Sequence, residues 1–330
     1  MNFLSRRVLL ALVPAMVISG AAWAQAAIDA WPSRPVTIVI PYSPGSATES
    51  EVRIYAQKLA EILGQPFQVD FKPGGGSTIG TAHVAKAVPD GYTLLQVSSA
   101  FIVASLLYRN LPYDATRDFA PISLMSKKPN VLLVSPSFQA KSLSDYIAYA
   151  RANPGKINFA TSGAGGPQHL VGAMLHSATN TRVTFIHYKG GAPGVPDLLA
   201  GRVDVLVNPL AMSLSFMQTG KMRALAILSL ERTPLSPDTA TVSEQEASLS
   251  DFEYSAVIGI LAPRQVPVAL INKIGANFAR TAKSPDVAQK LATGGSVMLG
   301  TTPEQYRQHI ATETERWRKV IRENDIRLEE

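Results

Sequence analysis

Cysteine is absent from all 330 residues. That excludes a disulfide scaffold, a thiolate zinc or iron–sulfur site and any cysteine nucleophile. Charge is sparse at 17%, while hydrophobic residues make up 46%, which excludes a disordered chain and a coiled coil. Long apolar runs are missing beyond the first two dozen residues. No later segment reaches the roughly 18 consecutive apolar residues of a spanning helix.

What is present begins with an address. Arg6 and Arg7 form a positive start, an apolar stretch runs from Val8 to Ile18, and Ala22-Trp23-Ala24 is an A-x-A cleavage site. Residues 1–24 read as a signal peptide cleaved near Ala24, and a periplasmic location is expected. Pro14 and Gly20 interrupt the run, and no stop-transfer charges follow, which argues against an anchor. Ser5-Arg6-Arg7-Val8-Leu9-Leu10 is similar to a twin-arginine signal, and the general export route is the other option. A chain of this length can bury a core large enough to replace disulfides.

The formal charge is +6, and two of the arginines lie in the signal. The remainder carries 29 basic and 25 acidic residues, or +4, scattered along the chain. Only the C-terminal segment is dense, and Glu313, Glu315, Arg316, Arg318 and Lys319 mix both signs there. That is a solvated helix face, so no nucleic-acid partner is expected.

Apolar periodicity then alternates between strands and helices. Strands are expected at 36–42, 67–71 and 92–97, with helices at 49–63 and 78–87. A second series has helices at 143–152, 168–178 and 195–199, with strands at 157–160, 183–188, 203–207 and 223–228. The pattern implies α/β layering with mostly parallel sheets. The last part has one strand, 256–262, and three helices at 267–282, 285–292 and 303–323. Thr302, Pro303 and Gln305 form a capping box for the final helix. These helices need a sheet to cover, and the N-terminal sheet is available. The first domain is therefore discontinuous: 25–127 plus 255–330, with 128–254 as the second.

Two segments share one plan of buried strand, small-residue loop and amphipathic helix. One runs through Pro41-Tyr42-Ser43-Pro44-Gly45-Ser46-Ala47-Thr48-Glu49. The other runs through Thr161-Ser162-Gly163-Ala164-Gly165-Gly166-Pro167-Gln168-His169. Each loop lies at the carboxyl end of a strand, where open α/β sheets bind ligands. Each feeds a helix whose first N–H groups lack partners and whose dipole favours an anion. One such loop on each domain points to a carboxylate or similar anion held between domains, although ordinary turn chemistry explains either loop alone.

Sharper motifs fail. Gly74-Gly75-Gly76-Ser77-Thr78-Ile79-Gly80 is one residue too long for a dinucleotide fingerprint and lacks the Lys-Ser/Thr pair of a P-loop, so it reads as a tight strand–helix turn. There is no nucleophile elbow and no H-E-x-x-H among His83, His169, His176, His187 and His309. No cofactor and no metal are expected. His169, in the first turn of its helix, could donate to a ligand, cap the helix or face solvent.

An ordered set of short motifs resembles the Bug-type solute receptors of tripartite tricarboxylate transporters. It includes Trp31-Pro32-Ser33-Arg34-Pro35-Val36, the first loop, Lys72-Pro73-Gly74-Gly75-Gly76 and Pro89-Asp90-Gly91-Tyr92-Thr93-Leu94. It continues with Leu111-Pro112-Tyr113-Asp114, Ala152-Asn153-Pro154-Gly155-Lys156, the second loop, Tyr188-Lys189-Gly190-Gly191-Ala192-Pro193, Gly201-Arg202-Val203-Asp204 and Leu261-Ala262-Pro263. The resemblance implies a two-domain periplasmic binding protein, a type II-like Venus flytrap that closes over a small carboxylated solute. It implies membrane components of a tripartite tricarboxylate transporter, or a sensor, as partners. A monomer and no enzymatic activity are expected. Carried over, the ligand-binding residues are Tyr42, Ser43, Gly45, Ser46, Ala47 and Thr48 on one lip and Thr161, Ser162, Gly163, Ala164, Gln168 and His169 on the other. Tyr188 and Asn208 close the side.

The chain departs from the family in places. The usual Gly-Gly-x-x-Asp is Gly45-Ser46-Ala47-Thr48-Glu49 here. Pro209-Leu210-Ala211-Met212 stands where Asn-Leu-Pro-Ser is frequent, and Val257-Ile258-Gly259 where Trp-Phe-Gly is frequent. These changes remove polar groups and an aromatic ring, and point to an aliphatic or aromatic body on the ligand. The competing readings are an exported hydrolase using Ser46 or Ser162, which lacks an evident base, and an orphan receptor that feeds a signalling system.

Overall fold

The computed structural model describes residues 25–26, 28–45, 48–108, 110–188 and 193–327. The expected signal peptide lies outside them, as do Ser46 and Ala47. Among the described residues no helix is long and apolar enough to cross a membrane.

The first half opens with strands Val36–Ile40 (β1), Phe67–Phe71 (β2) and Thr93–Ser98 (β3) and helices Glu49–Leu63 (α1), Thr78–Ala85 (α2) and Ala100–Leu107 (α3). β1 pairs with β2 and β3, both parallel. In α1, Val52, Tyr55, Ala56 and Leu59 are buried at helical spacing, and Gly64 ends the helix in the left-handed region at φ 71°. The glycine run before α2 forms a tight 3₁₀ turn at Gly75–Ser77, as its composition suggested.

A 16-residue strand, Phe119–Val134 (β4), then runs from the first half into the second. The second half holds strands Asn158–Thr161 (β5), Thr184–His187 (β6), Val205–Pro209 (β7) and Arg223–Ile227 (β8). Its helices are Leu143–Ala152 (α4), Pro167–Ala178 (α5), Gly194–Leu199 (α6), Leu210–Gln218 (α7) and Val242–Gln245 (α8). Ser255–Pro263 (β9) brings the chain back beside β4. Val268–Ala282 (α9), Pro285–Ala292 (α10), Val297–Met298 (β10) and Pro303–Glu323 (α11) complete it.

The strand order is β2-β1-β3-β9-β4-β7-β5-β6, with β8 and β10 also paired to β4. The expectation of mostly parallel sheets is corrected here. The outer pairs are parallel, but β9 is antiparallel to β3 and β4, and β4 is antiparallel to β7, β8 and β10. Local alternation of strand and helix reports the parallel units. It is blind to a pair such as β4 and β9, whose partners lie more than a hundred residues apart.

Two apolar layers flank the first half. Ile38, Ile40, Leu59, Ile274 and Phe278 pack on one face, beneath α1 and α9. Val39, Leu95 and Val97 belong to a second core that runs on through Leu132, Phe159, Leu170 and Trp317. α11 joins these regions. Its 21 residues span about 30 Å, and it packs on β4, α3 and α5. Trp317 and Tyr306 are almost fully buried, each burial contributing on the order of 2–3 kcal/mol. Gly259 permits this approach, because a Cβ there would lie 2.0 Å from the Tyr306 hydroxyl.

Candidate functional site

Strand register places the two loops. Loop 1, described at residues 41–45 and 48, leaves the carboxyl end of β1. β3 ends on the same side at Ser98, which pairs with Ile258 of β9, and Ile258 pairs with Ser126 of β4. Loop 2, residues 162–166, leaves the carboxyl end of β5. Its parallel neighbours β6 and β7 end level with it, and Pro209 of β7 pairs with Asn130 of β4. The parallel strands of both halves thus end facing the same stretch, Ser126 to Asn130. That is the arrangement in which crevices form at the carboxyl ends of strands.

In loop 1, the Tyr42 hydroxyl is 2.8 Å from Ser98 Oγ. Burial raises this phenol's pKa, and the Ser98 hydrogen bond opposes the rise. Ser43 is exposed. Gly45 sits at φ 82°, and its N–H donates to Glu49 Oε2 at 2.6 Å. Arg53 Nε donates to the other oxygen at 2.7 Å. These two contacts, Gly45 first, lower the Glu49 pKa. The Thr48 hydroxyl donates to Gln96 Oε1 at 3.4 Å. Gln96 Nε2 is buried and has no hydrogen-bond partner among the described residues.

In loop 2, Thr161 Oγ1 is 2.6 Å from His187 Nδ1. Gly163 and Gly165 take φ values of 121° and 68°. The Ser162 hydroxyl is buried without a partner among the described residues. Gly165 N–H donates to His169 Nδ1 at 3.0 Å, which requires the imidazole proton on Nε2. The His169 ring packs edge-on against Phe185 and His187, with centroids at 4.6 and 4.8 Å. Desolvation, then His187, lowers its pKa to about 4, so it is neutral near pH 7. Gln168 Nε2 donates to Val207 O at 3.0 Å and ties α5 to β7, while Gln168 Oε1 has no partner among the described residues.

Two N–H groups of the loops themselves are already taken. Gly45 and Gly165 are engaged by side chains of their own helices, because a left-handed glycine aims its N–H at the first turn. Neither α1 nor α5 has a side-chain cap at its first position, whereas α4, α8 and α11 carry full capping boxes. Two of the expected flanking residues are also engaged. The Tyr188 hydroxyl donates to Asp197 at 2.6 Å, and desolvation followed by this contact pushes its pKa up to about 12. Asn208 Nδ2 donates to Ser213 Oγ at 3.0 Å. The Tyr188 carbonyl still borders loop 2, 3.5 Å from where a Cβ on Gly163 would stand.

Sequence reasoning passed over Gln96 and Asn130. Each is buried, each carries an amide nitrogen unpartnered among the described residues, and each belongs to a strand near the crossing. A lone amide inside an apolar strand such as Leu94-Leu95-Gln96-Val97 was the available signal. No cluster of three or more metal-ligating side chains occurs among the described residues. A separate cavity of about 290 Å³ lies beside α11, lined by Lys127, Glu253, Ser255, His309 and Trp317 among others. None of the expected site residues lines it.

Two α/β halves that share crossing strands, with facing loops at their strand ends, define the bilobal class of periplasmic binding proteins. The chain belongs to the tripartite tricarboxylate transporter family receptor group, whose model matches residues 52–326. It is 33% identical to protein BugT of Bordetella pertussis, over 97% of this chain and 98% of that protein. Among solved structures it is similar to R. palustris Rpa4515 with adipate. That likeness has 30% identity, a TM-score of 0.75, and covers 91% of this chain and 100% of that one. It is also similar to MatC from Rhodopseudomonas palustris with bound malate, with 29% identity, a TM-score of 0.70, and coverage of 88% and 100%.

Proposed function

We propose that this protein is a periplasmic receptor that binds a small carboxylated solute between two lobes and delivers it to the membrane components of a tripartite tricarboxylate-type transporter. The lobes are residues 25–127 plus 255–330 and residues 128–254. The chain is exported and its signal peptide is cleaved near Ala24, and the working form is a monomer. The observation that carries the reading is the convergence of loops 1 and 2 on Ser126 to Asn130. The adipate and malate held by the two Rhodopseudomonas proteins support a carboxylate as the cargo.

In this reading the uncapped ends of α1 and α5 supply N–H groups to the anion, and Ser162 adds a hydroxyl. Tyr42, Thr48, Thr161 and Gln168 shape the wall. Gly45, Gly163 and His169 hold the loops in form, and Tyr188 and Asn208 buttress the side. Contacts made to both lips only when the lobes approach would drive closure, with hinges near residues 127 and 254.

The test is a thermal-shift and calorimetric screen of mono-, di- and tricarboxylates, with malate and adipate included. A bound acid at about 100 times its Kd stabilises the protein by roughly 2.7 kcal/mol. Folded protein that responds to no carboxylate at millimolar concentration would sink the proposal. Ser162→Ala separates receptor from hydrolase. A receptor loses about tenfold in affinity for the acid, consistent with one buried hydrogen bond. Ester or amide turnover that disappears in this variant would favour the enzyme instead. No base lies within hydrogen-bond distance of Ser162 Oγ among the described residues.

A further inference from the structure

Tyr306, Trp317 and Val320 carry the buried face of α11. A second stripe runs beside it. Arg307, Ile310, Ala311, Thr314 and Arg318 lie at i, i+3, i+4, i+7 and i+11, on one side of the helix, and all five line a groove of about 390 Å³. The stripe is about 16 Å long. Buried Phe119 and Pro121 of β4 and Leu261 of β9 also line the groove and give it an apolar floor. Pro121 and Leu261 pair across the two strands. The groove is remote from the cleft. Phe119 begins β4, and Ser126, where the strands of loop 1 end, lies seven residues further along, about 20 Å away.

The rim is basic. Arg264, Arg307 and Arg318 line the groove against one acid, Glu315. Arg318 pairs with Glu315, and Arg307 with Glu304. All four of these side chains are about half exposed or more, so the pairs hold weakly and a ligand can compete for the guanidinium groups. Arg264 follows β9 directly, and its backbone N–H donates to Asp118 O at 2.9 Å. Its guanidinium forms neither an ion pair nor a hydrogen bond among the described residues.

We propose that this groove is a second binding site, for one small amphipathic anion. Its carboxylate or sulfate-like head is held by Arg264 together with Arg307 or Arg318, and its alkyl or aryl body lies on Phe119, Pro121, Leu261 and Ile310. The site is independent of the cleft reading. The volume falls among small-molecule pockets, about 300–1,000 Å³. A guanidinium fork takes two oxygens of such a head at once. The apolar body adds burial that a wholly hydrophilic anion lacks. A neutral amphiphile meets the same floor without the head-group contacts, and a cationic one meets it against the charge.

Titration calorimetry with octyl sulfate, octanol and octyltrimethylammonium at matched ionic strength tests this. Wild type should bind octyl sulfate one to one and at least about tenfold more tightly than the other two. Arg264→Gln/Arg318→Gln should lose about tenfold or more for octyl sulfate. Ala311→Glu, which sets an acid on the groove at an exposed helix position, should lose as much. Ser162→Ala, in the cleft, should stay within about twofold. No binding to folded wild type at millimolar concentration, or an anion held no more tightly than octanol, would overturn the proposal. So would affinity that survives either groove change, or a loss in Ser162→Ala as large as in the groove variants. Each of these leaves the receptor reading standing. If the double variant melts below the assay temperature, Arg264→Gln alone carries the same expectation.

Discussion

Loop 1 and loop 2 are built on one plan and closed by different acceptors. In each, a left-handed glycine donates its N–H to a side chain four residues on. Gly45 reaches the Glu49 carboxylate, and Gly165 reaches the His169 imidazole. The first acceptor is charged and backed by an exposed arginine, Arg53. The second is neutral and held by rings, Phe185 and His187. The same turn can be set from outside by charge or from inside by packing. Loop 1 should therefore answer to ionic conditions, and loop 2 to anything that charges or unpacks one ring.

The largest expected effect comes from backbone freedom. Gly45 at φ 82° has open space where a Cβ would stand, so alanine there meets only the left-handed penalty, about 1–2 kcal/mol. Gly163 at φ 121° lies outside the region an L-residue tolerates, and its Cβ would face the Tyr188 carbonyl. Gly163→Ala forces loop 2 into another path, and strain of this kind is about 1–3 kcal/mol even before binding is counted. Carboxylate affinity should fall by about 100-fold or more in Gly163→Ala and by about tenfold or less in Gly45→Ala. Isothermal titration of both variants checks this. Equal losses would mean that the two loops tolerate distortion alike.

This contrast also marks the limit of what was legible beforehand. The helices at Glu49–Leu63, Leu143–Ala152, Pro285–Ala292 and Pro303–Glu323 stand where periodicity and end signals placed them. β4 escaped because Pro121 and Pro129 interrupt it and Ser123, Ser126, Lys127, Lys128 and Asn130 dilute its apolar pattern. α3 escaped because Ala100–Leu107 is almost wholly apolar and so has no amphipathic period. The two loops were legible as glycine-rich strand–helix turns. That their glycines would hand N–H groups to Glu49 and His169 depends on φ signs, which composition does not carry. Buried Glu51 meets Ser126, Lys128 and Ser296, the last of them 245 residues away, and nothing local in the sequence joins them.

The next effect is pH. Glu49 has a lowered pKa in the fold. Its contribution is present above the unfolded carboxylate value and is lost only as pH falls through the lowered one. His169 is also lowered, from 6.5 to about 4. Its contribution is complete above pH 6.5 and is lost as pH falls towards 4, because the unfolded chain binds the proton first. Protonation also removes the Nδ1 acceptor from Gly165. Between pH 6.5 and 5, loop 2 should loosen while loop 1 holds. Buried His176, likewise lowered to about 4, adds to the stability slope but does not touch the loop. Urea melts and carboxylate titrations across this window should show a shallower dependence in His169→Gln. If the variant keeps the whole affinity slope, the imidazole is not what shapes loop 2.

The smallest effect tests the charged side of the comparison. Arg53 lies 2.7 Å from Glu49, yet its side chain is 56% exposed, and such pairs contribute little in water. The Gly45 N–H is the larger influence on the Glu49 carboxylate. Arg53→Ala should therefore leave the turn in place and lower carboxylate affinity by less than about twofold at low salt. The difference should vanish near 1 M salt, where screening acts within about 3 Å. Among the described residues loop 2 has no matching cation on its acceptor, so the part of the wild-type salt dependence that comes from these turns should disappear with Arg53. A tenfold loss would reverse the reading of loop 1. The turn would then owe its shape to the ion pair, and the glycine hydrogen bond would be its consequence rather than its cause.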